Sequence, residues 1–345
     1  MEILIYNKTF LEYLMKPTIS FQLFAIIILL SFSSLTAQVY KSDSPFAHTY
    51  SIVAYDEQTG DMGVAVQSHW FSVGTMVTWG EAGVGVVATQ SFVNPAFGPE
   101  GLNLLKAGKS AGDAVAALLL SDKGREFRQL AILDAKGNAA SFTGEKCIQP
   151  AGNIVGKNFS VQANLMANDK IWPAMAEAFQ KAKGSLAERM LASLEAAEKA
   201  GGDIRGKQSA AMLVVRGKAT GKVWEDRLVD IRVDDSPAPL PELRRLLKIH
   251  RAYDHMNNGD LAVEKNDMDS AMKEYSAAMK MFPNNLEMKF WTAVALANKG
   301  RMKEALPMFK QIFKKDKQWK TLTPRLIPNG LLKVTEEQLK RITES

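Results

Sequence analysis

The chain has 345 residues, 46% of them hydrophobic and 23% charged, with a formal net charge of +6. That length favours two domains over one, and the apolar fraction excludes a disordered chain. The lone cysteine, Cys147, excludes an internal disulfide and a zinc site built from several cysteines. His48, His69, His250 and His255 form no helical His-x-x-x-His pair around a glutamate, which argues against a zincin-type centre. The expectation is a protein without a metal or other cofactor.

The first elements in chain order are not those of a folded domain. Lys8 and Lys16 precede an apolar run from Phe21 to Phe32, broken only by Gln22 and Ser31, and the small-residue stretch Ser33-Ser34-Leu35-Thr36-Ala37-Gln38 follows. A basic start, an apolar centre and a small-residue end predict a secretory signal peptide over residues 1–38. An apolar run of about 12 residues is shorter than the roughly 18–20 needed to cross a bilayer. The expectation is therefore an exported chain, periplasmic or secreted, with no integral membrane segment once the leader is removed. Residues 39–48 are left as a short extension.

From Tyr50 the apolar and β-branched runs predict short strands at Tyr50–Tyr55, Gly63–Gln67, Met76–Trp79 and Val84–Thr89. A leucine- and alanine-rich stretch from Glu100 to Leu120 predicts helix. Strands return at Arg128–Leu133 and Ala139–Phe142, joined by the turn sequence Asp134-Ala135-Lys136-Gly137-Asn138, and another is predicted at Phe159–Ala163. A long helical stretch runs from Ile171 to Ala200, with a break at Gly184 and a stop at Gly201-Gly202. Ala210–Arg216 and Arg227–Val233 predict two closing strands. Blocks of strands separated by blocks of helices argue for antiparallel sheets covered by helices, not for a parallel βαβ sheet. Gly83-Val84-Gly85 mimics part of a dinucleotide fingerprint, but it leads into a strand, and no acid stands about 20 residues later. Nucleotide binding is not expected.

Three prolines, Pro237, Pro239 and Pro241, mark a predicted linker at 236–241. The charge divides there as well. From Leu240 onward the chain carries 20 basic and 13 acidic residues, whereas the part before it is nearly balanced. The excess is spread along helices, which reads as a solvated surface, and no nucleic-acid partner is expected. Over 242–345 a repeat is legible: Ala271 and Ala305 are 34 residues apart, and so are Tyr275 and Phe309. A small residue followed four positions later by an aromatic, at period 34, matches the tetratricopeptide pattern. Gly259 and Pro283 complete the first copy, while Ala293 and Lys317 replace them in the second. A leading helix, Glu242–Met256, carries Leu243, Leu246, Leu247 and Tyr253 on one face. Two such repeats are fewer than the three usually needed for stability, so they should dock on the first domain or on a protein or peptide partner.

Single residues in the first domain also carry chemistry. His69, at a strand end, is either a pocket base or a turn residue. Asp203, Arg205 and Gln208 lie in a glycine-flanked loop; they either orient a substrate carboxylate or form a structural ion pair and turn. Ser51 shares a strand face with Thr49 and reads as an ordinary strand serine. Cys147 reads as a small apolar filler, and Asp230 as the partner of a neighbouring arginine.

Several motifs stand in order: Thr49-Tyr50-Ser51-Ile52-Val53-Ala54-Tyr55-Asp56, Gly60-Asp61-Met62-Gly63-Val64-Ala65-Val66-Gln67-Ser68, Gly83-Val84-Gly85-Val86-Val87-Ala88-Thr89-Gln90 and Asn94-Pro95-Ala96-Phe97-Gly98-Pro99, then Val161-Gln162-Ala163-Asn164, Gly202-Asp203-Ile204-Arg205-Gly206-Lys207-Gln208-Ser209-Ala210-Ala211 and Asp230-Ile231-Arg232-Val233-Asp234-Asp235. Over about Thr49 to Leu247 the chain resembles the family called domain of unknown function 1028, grouped with the N-terminal-nucleophile hydrolases. The resemblance implies an α+β fold: a four-layer αββα sandwich over 49–235, here followed by the all-α tetratricopeptide-like region. It implies Thr49 as nucleophile, with a small amide or peptide as ligand in the cleft. The chain departs from the pattern in two ways. Thr49 is preceded by His48, so its amine is free only after a cut between them. No lysine or arginine occurs between Thr49 and Leu105, so the lysine of proteasome-type members is missing. An acylase-like arrangement would instead use Asn94 or Asn164 as oxyanion donor. Two readings follow: an exported amidohydrolase or peptidase with partner-binding repeats, or a non-catalytic ligand-binding module with a repeat adaptor.

Overall fold

The computed structural model describes residues 46–47 and 49–344. The expected signal peptide and nearly all of the 39–48 extension lie outside the described residues. Two antiparallel sheets form the first part of the fold. One has the order β1-β5-β6-β7, with β4 also pairing β5; the other runs β11-β10-β3-β2-β9-β8. Their strands are β1 (Phe46–Ala47), β2 (Thr49–Tyr55), β3 (Met62–Ser68), β4 (Thr78–Glu81), β5 (Gly85–Phe92), β6 (Arg128–Asp134), β7 (Ala139–Thr143), β8 (Gly152–Gly156), β9 (Phe159–Ala163), β10 (Ser209–Val215) and β11 (Arg227–Val233).

Alternation along the strands decides which layer each side chain enters. On β2, Tyr50, Ile52 and Ala54 face outward onto helices α4 (Ile171–Lys181) and α5 (Leu186–Lys199), where they meet Met175, Phe179, Met190 and Leu194. Val53, from the other face of β2, packs with Val64, Val66, Val86, Ala88, Ala131 and Leu133 between the sheets. On the far side Val87, Leu130 and Ile132 cover α2 (Phe97–Lys106) and α3 (Ala111–Ser121). The result is a four-layer αββα sandwich. Helix termini follow local chemistry: Ser110 caps α3, and Ser185 with Glu188 forms a capping box on α5. The break foreseen at Gly184 separates α4 from α5, with Gly184 at φ +105°.

The strand assignments need two corrections. Met76–Trp79 is not one strand: the chain makes a helical turn, α1 (Gly74–Val77), before β4. The Ser72 backbone is left-handed at φ +53°, and its carbonyl accepts a hydrogen bond from Thr75 Oγ1 at 2.9 Å, so local bonds win over strand propensity there. Strand β8 carries no strand signal in the sequence, because glycines at both ends of Gly-Asn-Ile-Val-Gly hide an edge strand whose order comes from pairing with β9.

The stretch 236–241 runs from β11 into the first turn of α6 (Pro239–Glu264), where proline is tolerated because early helical N–H groups need no intrahelical acceptor. Leu240, Leu243 and Leu247 of α6 join the core beneath α5, and Arg244 pairs with Glu195 and Arg251 with Glu188. The repeats thus dock on the sandwich through their leading helix. Tyr253, expected on the buried face, is instead 36% exposed and donates its hydroxyl to Glu287.

Helices α7 (Met268–Met281), α8 (Leu286–Asn298) and α9 (Met302–Lys315) follow in antiparallel pairs, capped by α10 (Gln318–Leu322) and α11 (Glu336–Thr343). The 34-residue period is a packing period. Ala271 and Ala305 are fully buried, Tyr275 presses against Gly259, and Phe309 meets Phe290 edge-on at 5.8 Å. An added Cβ on Gly259 would lie 2.3 Å from the Tyr275 ring, so only glycine fits there. Among the described residues no helix is long and apolar enough to cross a membrane.

Candidate functional site

At one end of the inter-sheet layer the apolar filling stops and polar side chains take over. The strand registers explain how. Thr49 stands opposite Ser68 in the β2–β3 pair, Ser51 opposite Gln162 in β2–β9, and Gln90 opposite Gln129 in β5–β6. All six are fully buried, as is Asn164 just past β9. The polar positions continue the period-2 rows that hold Val53, Val86, Ala88, Ala131 and Leu133 further along the same strands.

The groups satisfy one another across the two sheets. Gln90 of β5 reaches over to β2, its amide nitrogen donating to the Thr49 carbonyl at 3.1 Å and to Gln129 Oε1 at 2.6 Å, while its Oε1 accepts from Ser51 Oγ at 2.5 Å. Gln162 Nε2 donates to Ser51 Oγ at 2.5 Å. Asn164 donates to Gln129 Oε1 at 2.9 Å and, at 3.4 Å, to the Thr49 carbonyl. Gln129 in turn donates to the Ala163 carbonyl and to Thr143 Oγ1. Buried polar groups of this kind are tolerated only when paired, and here they are. Thr49 Oγ1 itself donates to Ser68 Oγ at 3.2 Å.

Two of these amides are followed by strained backbone. Ser91, after Gln90, has φ +70°, and Leu165, after Asn164, has φ +56°. A left-handed leucine is costly and persists where its surroundings hold it; here the Leu165 N–H donates to the Ile148 carbonyl, and its own carbonyl accepts from Ile204.

The structure brings some expected residues to this end of the sandwich and not others. Asn164 lies in the amide cluster beside Thr49. Asn94 does not: its side-chain oxygen accepts from Ala96 N–H at 3.2 Å and its carbonyl from Thr89 Oγ1, so it shapes the turn into α2. His69 follows Ser68 at the end of β3, exposed, its N–H donating to Asp203 Oδ2 at 3.2 Å. The Asp203 carboxylate is buried and is also held by Arg205, at 3.1 Å from Nε and 2.7 Å from Nη2. Gln208 donates its backbone N–H to the Ser68 carbonyl and its side chain to Asp235. The loop thus presents an ion pair and a turn next to the strand that carries Ser68. Ser51 is a member of the amide network. Cys147 is buried, with its thiol pushed above its ordinary pKa by burial, as suits an inert filler. Asp230 pairs with Arg227 at 2.5 Å.

On the outer face of the same strands lies a second polar group. The buried Tyr50 donates to Glu198 at 2.8 Å, and Lys207 pairs with Glu198 at 2.9 Å. Burial, then the Glu198 charge, raise the Tyr50 pKa well above its usual value, so it stays a donor.

Gln90, Gln129 and Gln162 were not singled out from the sequence as site residues. The signal was present: each is an amide at a position that strand alternation assigns to the interior. A buried amide at such a place needs a partner across the layer. What the cluster offers chemically is a set of neutral donors, able to hold a carbonyl oxygen without changing charge.

The class the fold defines is an α+β protein: a four-layer αββα sandwich, with an amide-lined polar end where its first long strand opens, joined to a tetratricopeptide-like helical tail. The chain belongs to a family of unknown function (DUF1028), whose model matches residues 49–243. Among solved structures, protein SPO2555 from Silicibacter pomeroyi, of the same family, is 34% identical with a TM-score of 0.53, covering 58% of this chain and 84% of that one. The ancestral β-subunit Anbu from Yersinia bercovieri is 12% identical with a TM-score of 0.29, covering 57% of this chain and 92% of that one. No curated protein matches.

Proposed function

We propose that this chain is an amidohydrolase or peptidase whose nucleophile is Thr49, made competent by a cut between His48 and Thr49. One observation carries the reading. Thr49 is the first residue of the family match and also the residue whose hydroxyl enters the amide-lined end of the sandwich. In the uncut chain its nitrogen is an amide and accepts no proton. Once cut, it is an α-amine with an ordinary pKa of roughly 7.7–8.0, a suitable base near neutrality. The amine takes the hydroxyl proton as Oγ1 bonds to the substrate carbonyl carbon, and it passes that proton to the leaving amine. Water then hydrolyses the ester to release the acid. Neutral donors such as the Asn164 amide are suited to hold the oxyanion. His69, Arg205 and Gln208 are proposed to contact the rest of the substrate, Asp203 holding Arg205 in place, and residues 1–38 to direct export.

A second reading is favoured by one feature. The Gln90 and Asn164 amides already donate to the Thr49 carbonyl, which suits a module that binds a small amide without cleaving it.

N-terminal sequencing of the protein recovered from its secreting cells separates the two. A mature chain beginning at Thr49, acylated there by a β-lactone probe and not after Thr49→Ala, supports the hydrolase. A mature chain that keeps residues ahead of Thr49, folded and untouched by the probe, overturns it in favour of the binding module.

A further inference from the structure

We infer that the groove between α6, α7 and α8 holds a lysine or arginine side chain of a partner polypeptide. The cavity there has a volume of about 260 Å³. Its walls are Val263, Met268, Trp291, Val294 and Leu331, and its rim carries the exposed carboxylates of Asp260 and Glu264. The segment after α10 closes one side. Asn298 holds it there, donating to the Leu331 carbonyl at 2.9 Å and accepting from the Lys333 N–H at 2.8 Å.

The charge pattern selects the occupant. In a tail with 20 basic and 13 acidic residues, cations are in excess. Glu242, Asp269 and Glu304 are each paired with a lysine or arginine, and Glu274 with His255. Seven of the 13 tail carboxylates have no ion-pair partner among the described residues, and of these only Asp260 and Glu264 line the cavity. Asp260 instead accepts the Tyr275 hydroxyl at 2.6 Å, which fixes its carboxylate on the rim. Burial and this bond raise the Tyr275 pKa, so the hydroxyl remains a donor at neutral pH.

A purely apolar occupant would cover these carboxylates without pairing them, at a desolvation cost. A phosphate-bearing ligand would be repelled. A side chain with an aliphatic stem and a cationic head meets both requirements: the stem lies on the apolar walls and against the Trp291 ring, and the head stays at the carboxylate rim. Leu261 is 50% exposed and lies three residues from Glu264 on the same helix. A polypeptide would cover it, whereas a free amine would leave it bare. The inference deepens the expectation that the repeats hold a protein or peptide, and it does not depend on Thr49.

The test is calorimetric titration of the full chain with acetyl-Ala-Leu-Xaa-Leu-Ala-amide, where Xaa is lysine, arginine, norleucine or glutamate. Lysine and arginine peptides are expected to bind at least tenfold tighter than norleucine, and glutamate weakest. The pair Asp260→Asn and Glu264→Gln should bring the lysine peptide down to the norleucine level, with the helical circular dichroism unchanged. Leu331→Ala should weaken lysine and norleucine peptides alike. Thr49→Ala should bind as the parent does, so loss of the hydrolase reading leaves this result intact. Equal binding of lysine and norleucine peptides, or no heat with any cationic peptide up to millimolar concentration, overturns the proposal. So does n-butylammonium binding as tightly as the lysine peptide, since that marks a small-amine site.

Discussion

At one end of the inter-sheet layer, Val53, Val64, Val66, Val86, Ala88, Ala131 and Leu133 fill the space; at the other, Thr49, Ser51, Ser68, Gln90 and Gln129 fill it from the same rows of the same strands, joined by Gln162 and Asn164 from β9 and its end. The first end asks only for shape and volume. Its contacts are many, weak and interchangeable. The second asks that each donor find an acceptor, so it tolerates one arrangement and penalises the rest. The difference shows why a sandwich can hold a polar compartment without a loose core. The apolar half makes the layers stick, and the polar half fixes how two sheets line up around Thr49.

The sharpest way to break this contrast is to delete volume at the apolar end. Leu133→Ala, at a fully buried position, should cost about 3–4 kcal/mol in urea unfolding. Next comes deletion of partners at the polar end. Gln90→Ala leaves the Ser51 hydroxyl, the Gln129 oxygen and the Thr49 carbonyl each short of a partner, and should cost about 2–3 kcal/mol although little apolar surface is lost. A cost no larger than that of an exposed substitution would show the amide network to be incidental.

A double-mutant cycle on Gln90 and Gln129 is the finer test. Coupling of about 1 kcal/mol is expected for the direct bond, against near-additivity for Gln90 combined with the distant Leu213→Ala. Ser51→Ala removes one small hydroxyl that bonds two glutamines, and about 1 kcal/mol is expected from unfolding curves. Smallest of all is the effect on Cys147. Its buried, proton-holding thiol should react with a disulfide reagent only as fast as the domain opens, so labelling should track denaturant; rapid labelling of the native protein would contradict the burial seen here.

Much of this was legible along the chain. Strand β11 falls at Arg227–Val233 as its alternation implied, the turn at 134–138 joins β6 to β7, and Gly184 and Gly201-Gly202 break and stop helices as expected. These are local effects of backbone freedom and side-chain period. The 34-residue spacing of Ala271 with Ala305 and Tyr275 with Phe309 likewise needed no structure, because each small residue and its aromatic pack within neighbouring helices. The site was less legible. Thr49 and Asn164 do lie together, but Asn94, equally plausible by residue type, holds a helix entry.

By itself the sequence determined which residues face inward, where helices end and that the tail repeats, since a strand's period of two and a helix's turn are written in neighbouring residues. Only the tertiary structure decided what each inward side chain meets. Gln90 and Gln162 are 72 residues apart and belong to different sheets, yet Gln90 donates toward the Gln162 carbonyl at 3.4 Å and both bond Ser51. Alternation gives the face of a strand but not what lies across the layer, because that depends on how two whole sheets stack. The same holds for the groove in the tail. Asp260 and Leu331 come to line one cavity only because helices and the closing segment pack around it.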